Sequence, residues 1–164
     1  MLTDRHVIKS EYSLDPTDAF DMFNKVVYRL ARTRTGNTPD AEDVMQEVFL
    51  RYVRKKPEFT DFEHAKAWFI KVTLRCTSSF LTQRGRNETD ALSENLFTEM
   101  PMESSVSYAV SCLPVDMRTV VYLYYFEGYS VKETAKLTGV RQGTVKSRLA
   151  RARERLKIEL TENV

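Results

Sequence analysis

The sequence predicts an all-α protein, two small helical domains joined by a flexible acidic linker, with the C-terminal domain a helix-turn-helix. Three observations carry that expectation. Only five of 164 residues are glycine, and no stretch alternates apolar with polar side chains as a half-buried strand would. Helix start and stop signals recur along both halves. Charge is also divided unevenly beneath a formal net charge of only +2. Between Asn87 and Ser105 the charged residues are Glu88, Asp90, Glu94, Glu99 and Glu103, with no Lys or Arg. Beyond Val140 they are mostly basic: Arg141, Lys146, Arg148, Arg151, Arg153, Arg155 and Lys157. Such asymmetry points to a polyanion-binding end and an acidic connector, with nucleic acid the first candidate.

The first helix starts at "LDPTDAF", with Asp15 as N-cap, Pro16 in the first helical position and Asp18 in the first turn. It is expected to bury Phe20, Phe23, Val27 and Leu30 and to stop at Gly36. "TPDAED" restarts a helix, capped by Thr38, which runs to about Lys55 before Pro57 blocks it. After the loop "PEFTDF" a long helix covers roughly 63–82. Residues 1–86 form one predicted domain, 87–105 the linker and 106–164 the second. The second domain holds "SVSYAVSCL", "PVDMRTVVYLYYFEG" and "SVKETAKLTG", then a basic helix. Gly128 and Gly139 stand where helix C-caps are wanted, and Ser130 with Glu133 makes a capping box.

In "SVKETAKLTGVRQGTVKSRLARA" a short helix burying Val131, Ala135 and Leu137, a Gly-containing turn and a longer helix have the layout of a helix-turn-helix. Val145, Leu149, Ala152 and Leu156 share one stripe facing the core. Thr144, Ser147, Arg148 and Arg151 fall on the opposite face, where hydroxyls and guanidiniums reach base edges. Lys146, Arg153 and Lys157 flank it toward phosphates. The simpler alternative is a solvated amphipathic helix.

In "DAEDVMQEVFLRYV" the core face is Ala41, Val44, Met45, Val48, Phe49 and Tyr52, while Asp43, Gln46, Glu47, Leu50 and Arg54 line the other. A leucine among acidic and amide groups on an exposed stripe fits either a protein-docking surface or a stray exposed apolar residue. The next helix has two apolar faces, Phe69, Val72, Cys76, Phe80 and Ala67, Ile70, Leu74, Leu81. Between them runs a strip of His64, Trp68, Lys71, Arg75, Ser78, Ser79 and Thr82. With Phe59 and Phe62 upstream near Lys55 and Lys56, this strip suits single-stranded DNA, whose bases stack on aromatics. Core completion by Trp68 and the two phenylalanines is the plainer possibility.

No signal-peptide or membrane-spanning run is present in the sequence. Cys76 and Cys112 lie far apart without metal-ligand spacing, as reduced thiols serving as small apolar residues would. No GxGxxG, Walker-type loop, HExxH or nucleophile–base pair appears. A protein without catalysis, metal or cofactor is therefore expected.

The sequence resembles bacterial RNA polymerase sigma factors of the extracytoplasmic-function class. "DAEDVMQEVFLRYV" is similar to their segment for the clamp of the largest polymerase subunit, and "AWFIKVTLRC" to the following promoter-melting segment. "LPVDMRTVVYLYYFEGYSVKETAKLTGVRQGTVKSRLARARERLK" resembles their C-terminal promoter-binding domain. The resemblance implies that Asp43, Gln46, Glu47 and Leu50 dock on core RNA polymerase. It implies that Phe59, Thr60, Asp61, Phe62, Trp68, Lys71, Arg75 and Ser79 handle the melted minus-ten element. Arg141, Thr144, Lys146, Ser147, Arg148 and Arg151 would read the minus-thirty-five element. It also implies contact with the flap of the second-largest subunit, an anti-sigma factor, and a cytoplasmic location unless that partner holds the chain at a membrane. Two departures from the family pattern involve four positions. Arg75, Ser79 and Thr82 stand where Asn, Asp and Arg are usual, and Arg141 replaces the usual Ser or Thr cap. The alternative function is a stand-alone helix-turn-helix regulator, which would carry a strand-containing sensor domain that the first half does not suggest.

Overall fold

The structure, a computed structural model, describes residues 12–85 and 104–162. The linker reading therefore lies almost entirely outside the described residues. Three helices form the first half: α1 (Pro16–Thr35), α2 (Thr38–Lys55) and α3 (Phe62–Arg84). The second half contains α4 (Ser104–Ser111), α5 (Val115–Val121) continuing into a π turn (Tyr122–Phe126), α6 (Val131–Thr138) and α7 (Gln142–Glu162). Among the described residues, strand-like pairing is confined to one antiparallel bridge between Tyr12 and Phe59.

The predicted boundaries follow local chemistry. Asp15 accepts the Thr17 N–H ahead of Pro16, and α1 ends on Gly36, whose φ of 83° suits a residue without Cβ. The cap of α2 is Asn37 rather than Thr38. Asn37 adopts the extended backbone of a cap and its Oδ1 accepts the Asp40 N–H at 2.9 Å, which places Thr38 and Pro39 inside the first turn. Asp61 caps α3 by accepting the His64 N–H at 2.8 Å. The Ser130–Glu133 capping box is formed in both directions, at 3.1 and 2.8 Å.

The first core packs Phe23, Val27 and Leu30 of α1 against Val44 and Val48 of α2 and Phe69 and Ile70 of α3. Phe20 does not join it. One residue off the stripe of Ala19 and Phe23, it stays 43% exposed and leans on Phe49 with ring centroids 5.0 Å apart. The second core gathers Val110, Leu113, Val120 and Val121 around Val145, Leu149 and Ala152 of α7. Val131, expected inside, is only partly buried at the start of α6, and Cys112 is exposed while Cys76 is buried.

The two halves are in contact. Tyr122, Leu123 and Leu137 of the second half belong to the core of the first. Polar joints surround that seam. Arg34, at the end of α1, donates to Thr119 Oγ1 of α5 at 2.7 Å. Arg118 of α5 donates back to the Thr33 carbonyl at 2.8 Å. Lys66 of α3 meets Glu127 after the π turn at 2.9 Å.

Candidate nucleic-acid and polymerase interface

On α7 the apolar stripe Val145, Leu149, Ala152 is enclosed by the second core, which turns the basic stripe outward. Arg141, Lys146, Ser147 and Arg151 are exposed, and Thr144 is half-buried. Ser147 donates its hydroxyl proton to the Gly143 carbonyl at 2.9 Å, which leaves its exposed oxygen free to act as an acceptor. Arg148 differs from its neighbours: its guanidinium donates to Asp116 of α5 at 3.2 Å. Asp116 was not a sequence candidate. It lies 32 residues away, and only the α5–α7 packing brings it near.

On α3 the residues Lys71, Arg75 and Ser79 follow one another at four-residue spacing, all exposed, as the strip reading expected. The loop before it behaves differently. Phe59 is 3% exposed, its ring lying 6.3 Å from that of Tyr52 and 6.0 Å from that of Trp68. An enclosed ring offers no face to a base, so Phe59 is a core residue here. Trp68 is half-buried against Phe69 and Tyr52. Phe62 keeps 40% exposure although it stacks on Phe23 at 5.3 Å. The Asp61 carboxylate is engaged as the α3 cap, and the Thr60 N–H donates to His64 Nδ1 at 3.1 Å. A cleft of about 510 Å³ opens behind this loop, lined by Tyr12, Leu14, Tyr52, Val53, Lys56 and Glu58 among others. None of Phe59 to Phe62 lines it.

On α2 the outward face carries Asp43, Gln46 and Leu50, with Leu50 48% exposed. Glu47 is half-exposed and accepts from Arg51 Nε at 2.7 Å, one turn further on. Val53, 46% exposed three residues after Leu50, extends the apolar part of that face. The spacing from Leu50 was a legible signal for it.

Three surfaces thus occupy separate helices: acidic-apolar on α2, basic-hydroxyl on α3 and basic on α7. Residues 19–87 match the sigma-70 region 2 family, and residues 104–156 match sigma-70 region 4. The ECF RNA polymerase sigma factor SigM of Mycobacterium tuberculosis is 30% identical over 157 residues, covering 92% of this chain and 79% of that protein.

The chain belongs to the ECF RNA polymerase sigma factors.

As a sigma factor it directs promoter-specific initiation, and the match across both halves does not favour the stand-alone regulator reading. Sigma factor SigV of Bacillus subtilis is 29% identical, over 82% of this chain and 84% of that one. The fold is shared with the sigma factor RpoE of Bartonella quintana, solved in complex with the anti-sigma factor NepR. That match has a TM-score of 0.70 at 22% identity, over 88% of this chain and 96% of that chain. No described helix is long and apolar enough to cross a membrane, and no group of described His, Cys, Asp or Glu residues could hold a metal ion.

Proposed function

We propose that this sigma factor divides its work among those three surfaces, with residues 1–86 serving polymerase and the minus-ten element, 87–105 bridging, and 106–164 reading the minus-thirty-five element. Asp43, Gln46, Glu47 and Leu50, joined by Val53, dock on the clamp of core polymerase. Lys71, Arg75 and Ser79, with Phe62 and the exposed edge of Trp68, hold the melted minus-ten strand. Stacking and phosphate contact need only an aromatic face and nearby cations. Arg148 and Arg151 read bases, while Arg141 and Lys146 meet phosphates. Contact with the polymerase flap falls to the second half. The observation that supports this most is the outward basic stripe of α7 in a chain that also exposes a basic strip on α3. The chain supplies specificity rather than chemistry, needs no cofactor and acts in the cytoplasm. An anti-sigma factor of the kind that accompanies RpoE of Bartonella quintana is a further expected partner.

The test is reconstitution. Purified chain plus core polymerase should start transcription on a promoter that neither component uses alone, and added metal chelator specific for zinc should leave that start unchanged. Absence of any start on a genomic promoter library would overturn the assignment.

A further inference from the structure

We propose that Tyr52 and the short segment ahead of α1, residues 12–14, are positioning residues for the minus-ten element. They hold the α2–α3 loop so that Phe62 and the edge of Trp68 meet the melted strand in one fixed arrangement. This rests on the minus-ten assignment of those groups given above. The loop has little of its own to hold it. Lys56, with φ at 45°, turns the chain out of α2, Pro57 follows, and helical pairing resumes only where Asp61 caps α3. Thr60, Asp61 and Phe62 are exposed, while Phe59 just before them is buried. Phe59 is anchored by a closed circuit of contacts from outside the loop. Its carbonyl accepts the Tyr12 N–H at 3.0 Å, in the antiparallel bridge. Two residues on, the Leu14 carbonyl accepts the Tyr52 hydroxyl at 2.5 Å. The Tyr52 ring then lies almost parallel to that of Phe59, with 5° between planes and 6.3 Å between centroids, and the circuit is complete.

Each link constrains a group that faces DNA. The Phe59 and Tyr52 rings lie 6.0 and 5.8 Å from that of Trp68, and between them they set how far the indole edge projects. Pinning Phe59 also fixes the next two residues, Thr60, whose N–H donates to His64 Nδ1, and the Asp61 cap. That in turn fixes where α3 begins and how Phe62 leaves it. Tyr52 is a dependable donor, because burial, with the Asp15 carboxylate nearby, raises its pKa and keeps the phenol protonated. Completing the core would need only the two rings. The Tyr52 hydroxyl and the Tyr12 amide do something more, since they tie the segment ahead of α1 to the loop. A loop free in solution would lose its freedom on meeting DNA, whereas one ordered in advance does not. Discrimination between bases further requires contact groups held to about half an ångström, which supporting hydrogen bonds supply.

The test uses the full chain as wild type, Tyr52→Phe, Tyr12→Pro and Tyr12→Phe. The first variant keeps the ring and deletes the hydroxyl, the second deletes the N–H, and the third is the conservative counterpart that restores it. Trp68 is the chain's one tryptophan, so acrylamide quenching of the free chain reads the order of the loop directly. Quenching should rise in Tyr52→Phe and Tyr12→Pro and return to the wild-type value in Tyr12→Phe. Each chain is then joined to core polymerase and offered a random-sequence pool of short single-stranded DNA, and the captured strands are sequenced. Wild type should enrich one motif. Its enrichment over single-base variants should fall by roughly two- to tenfold in Tyr52→Phe and Tyr12→Pro, the value of one net hydrogen bond. The double variant should lose little more than either alone, because one broken link opens the circuit. Circular dichroism and affinity for core polymerase should stay at wild-type values, which separates positioning from loss of fold. Should Tyr12→Pro fail to fold, Tyr52→Phe, which removes one oxygen, decides the matter. A wild-type motif discriminated equally well by Tyr52→Phe overturns the positioning role and leaves the minus-ten assignment standing, and fully additive losses overturn the circuit. No enrichment by wild type overturns the minus-ten assignment itself, and the positioning role with it.

Discussion

Arg148 and Arg151 sit three residues apart on α7 yet meet different surroundings. Arg151 is exposed, whereas Arg148 is drawn toward Asp116. Arg151→Ala is expected to weaken binding to the minus-thirty-five duplex by about 1–3 kcal/mol and to relax specificity at one base position, the value of a good base contact. Arg148→Ala should do the same. Lys157→Ala should weaken binding evenly across sequences and flatten its salt dependence, because a phosphate contact carries no base information. Asp116→Asn should leave phosphate contacts by Arg141 and Lys146 intact but broaden base preference, since the Arg148 fork loses its anchor. Gel-shift titrations against single-base promoter variants, at two salt concentrations, distinguish these outcomes. Equal discrimination by wild type and both arginine variants would remove the assignment. The outward direction of these arginines was legible because α7 has a clean apolar stripe at helical spacing. The carboxylate that holds Arg148 was not legible, because the contact spans 32 residues and depends on how α5 crosses α7.

Helix boundaries were legible where a cap is a local chemical event, with the start of α2 the exception, displaced by one residue to Asn37. Gly139 ends α6 with φ at 72°, and the Ser130–Glu133 box starts it, both as the sequence indicated. Burial was legible only on average. Phe20 and Phe59 have the same composition signal as Phe23, and what separates them is tertiary: Phe20 faces the rim of α1 and α2, while the Tyr12 bridge tucks Phe59 under Tyr52. Two caps yield predictions. The Arg141 carbonyl accepts from the Thr144 and Val145 N–H groups, at 3.0 and 3.1 Å, but its side chain has no oxygen to offer an N-terminal N–H. Arg141→Ser should therefore stabilise the second half by roughly 1 kcal/mol while weakening DNA binding at low salt. Thermal melts and gel shifts on one preparation check both signs. Glu133 concerns pH. The Ser130 backbone N–H donates to its carboxylate, and the Ser130 hydroxyl is also in contact, so the pKa is held below the usual range. A depressed carboxylate contributes fully above its unfolded pKa, and the contribution disappears as pH falls through the lower folded value. The protection factor of the Ser130 amide, exchange corrected for its intrinsic pH dependence, should fall across that acid window in wild type, and Glu133→Gln should flatten the dependence. An unchanged profile in the variant would show that the box contributes nothing there.

At the scale of the whole molecule, the sequence separates two halves but is silent on their seam, because Arg34 and Arg118 read as ordinary surface cations until α1 and α5 meet. What the seam leaves outside is the α2 face, and that exposure makes the polymerase contact testable without disturbing the fold. Asp43 and Glu47 lie one turn apart on the side of α2 opposite Val44, Val48 and Tyr52, which are core. Asp43→Arg with Glu47→Arg places two cations there. The cost to stability is small: the Glu47–Arg51 pair is lost, and an exposed i,i+4 ion pair is worth about 0.3–0.5 kcal/mol. The cost to docking is large if the clamp surface is basic, since opposed like charges cost several kcal/mol and each 1.4 kcal/mol is about a factor of ten. Affinity for core polymerase should drop by orders of magnitude, while the circular dichroism spectrum and binding to the minus-thirty-five duplex stay at wild-type values. Leu50→Asp with Val53→Asp tests the apolar part of the same face and should give the same separation of docking from folding. A charge-reversed chain that folds normally and still captures polymerase at wild-type affinity places the docking surface elsewhere, and the α2 assignment falls with it.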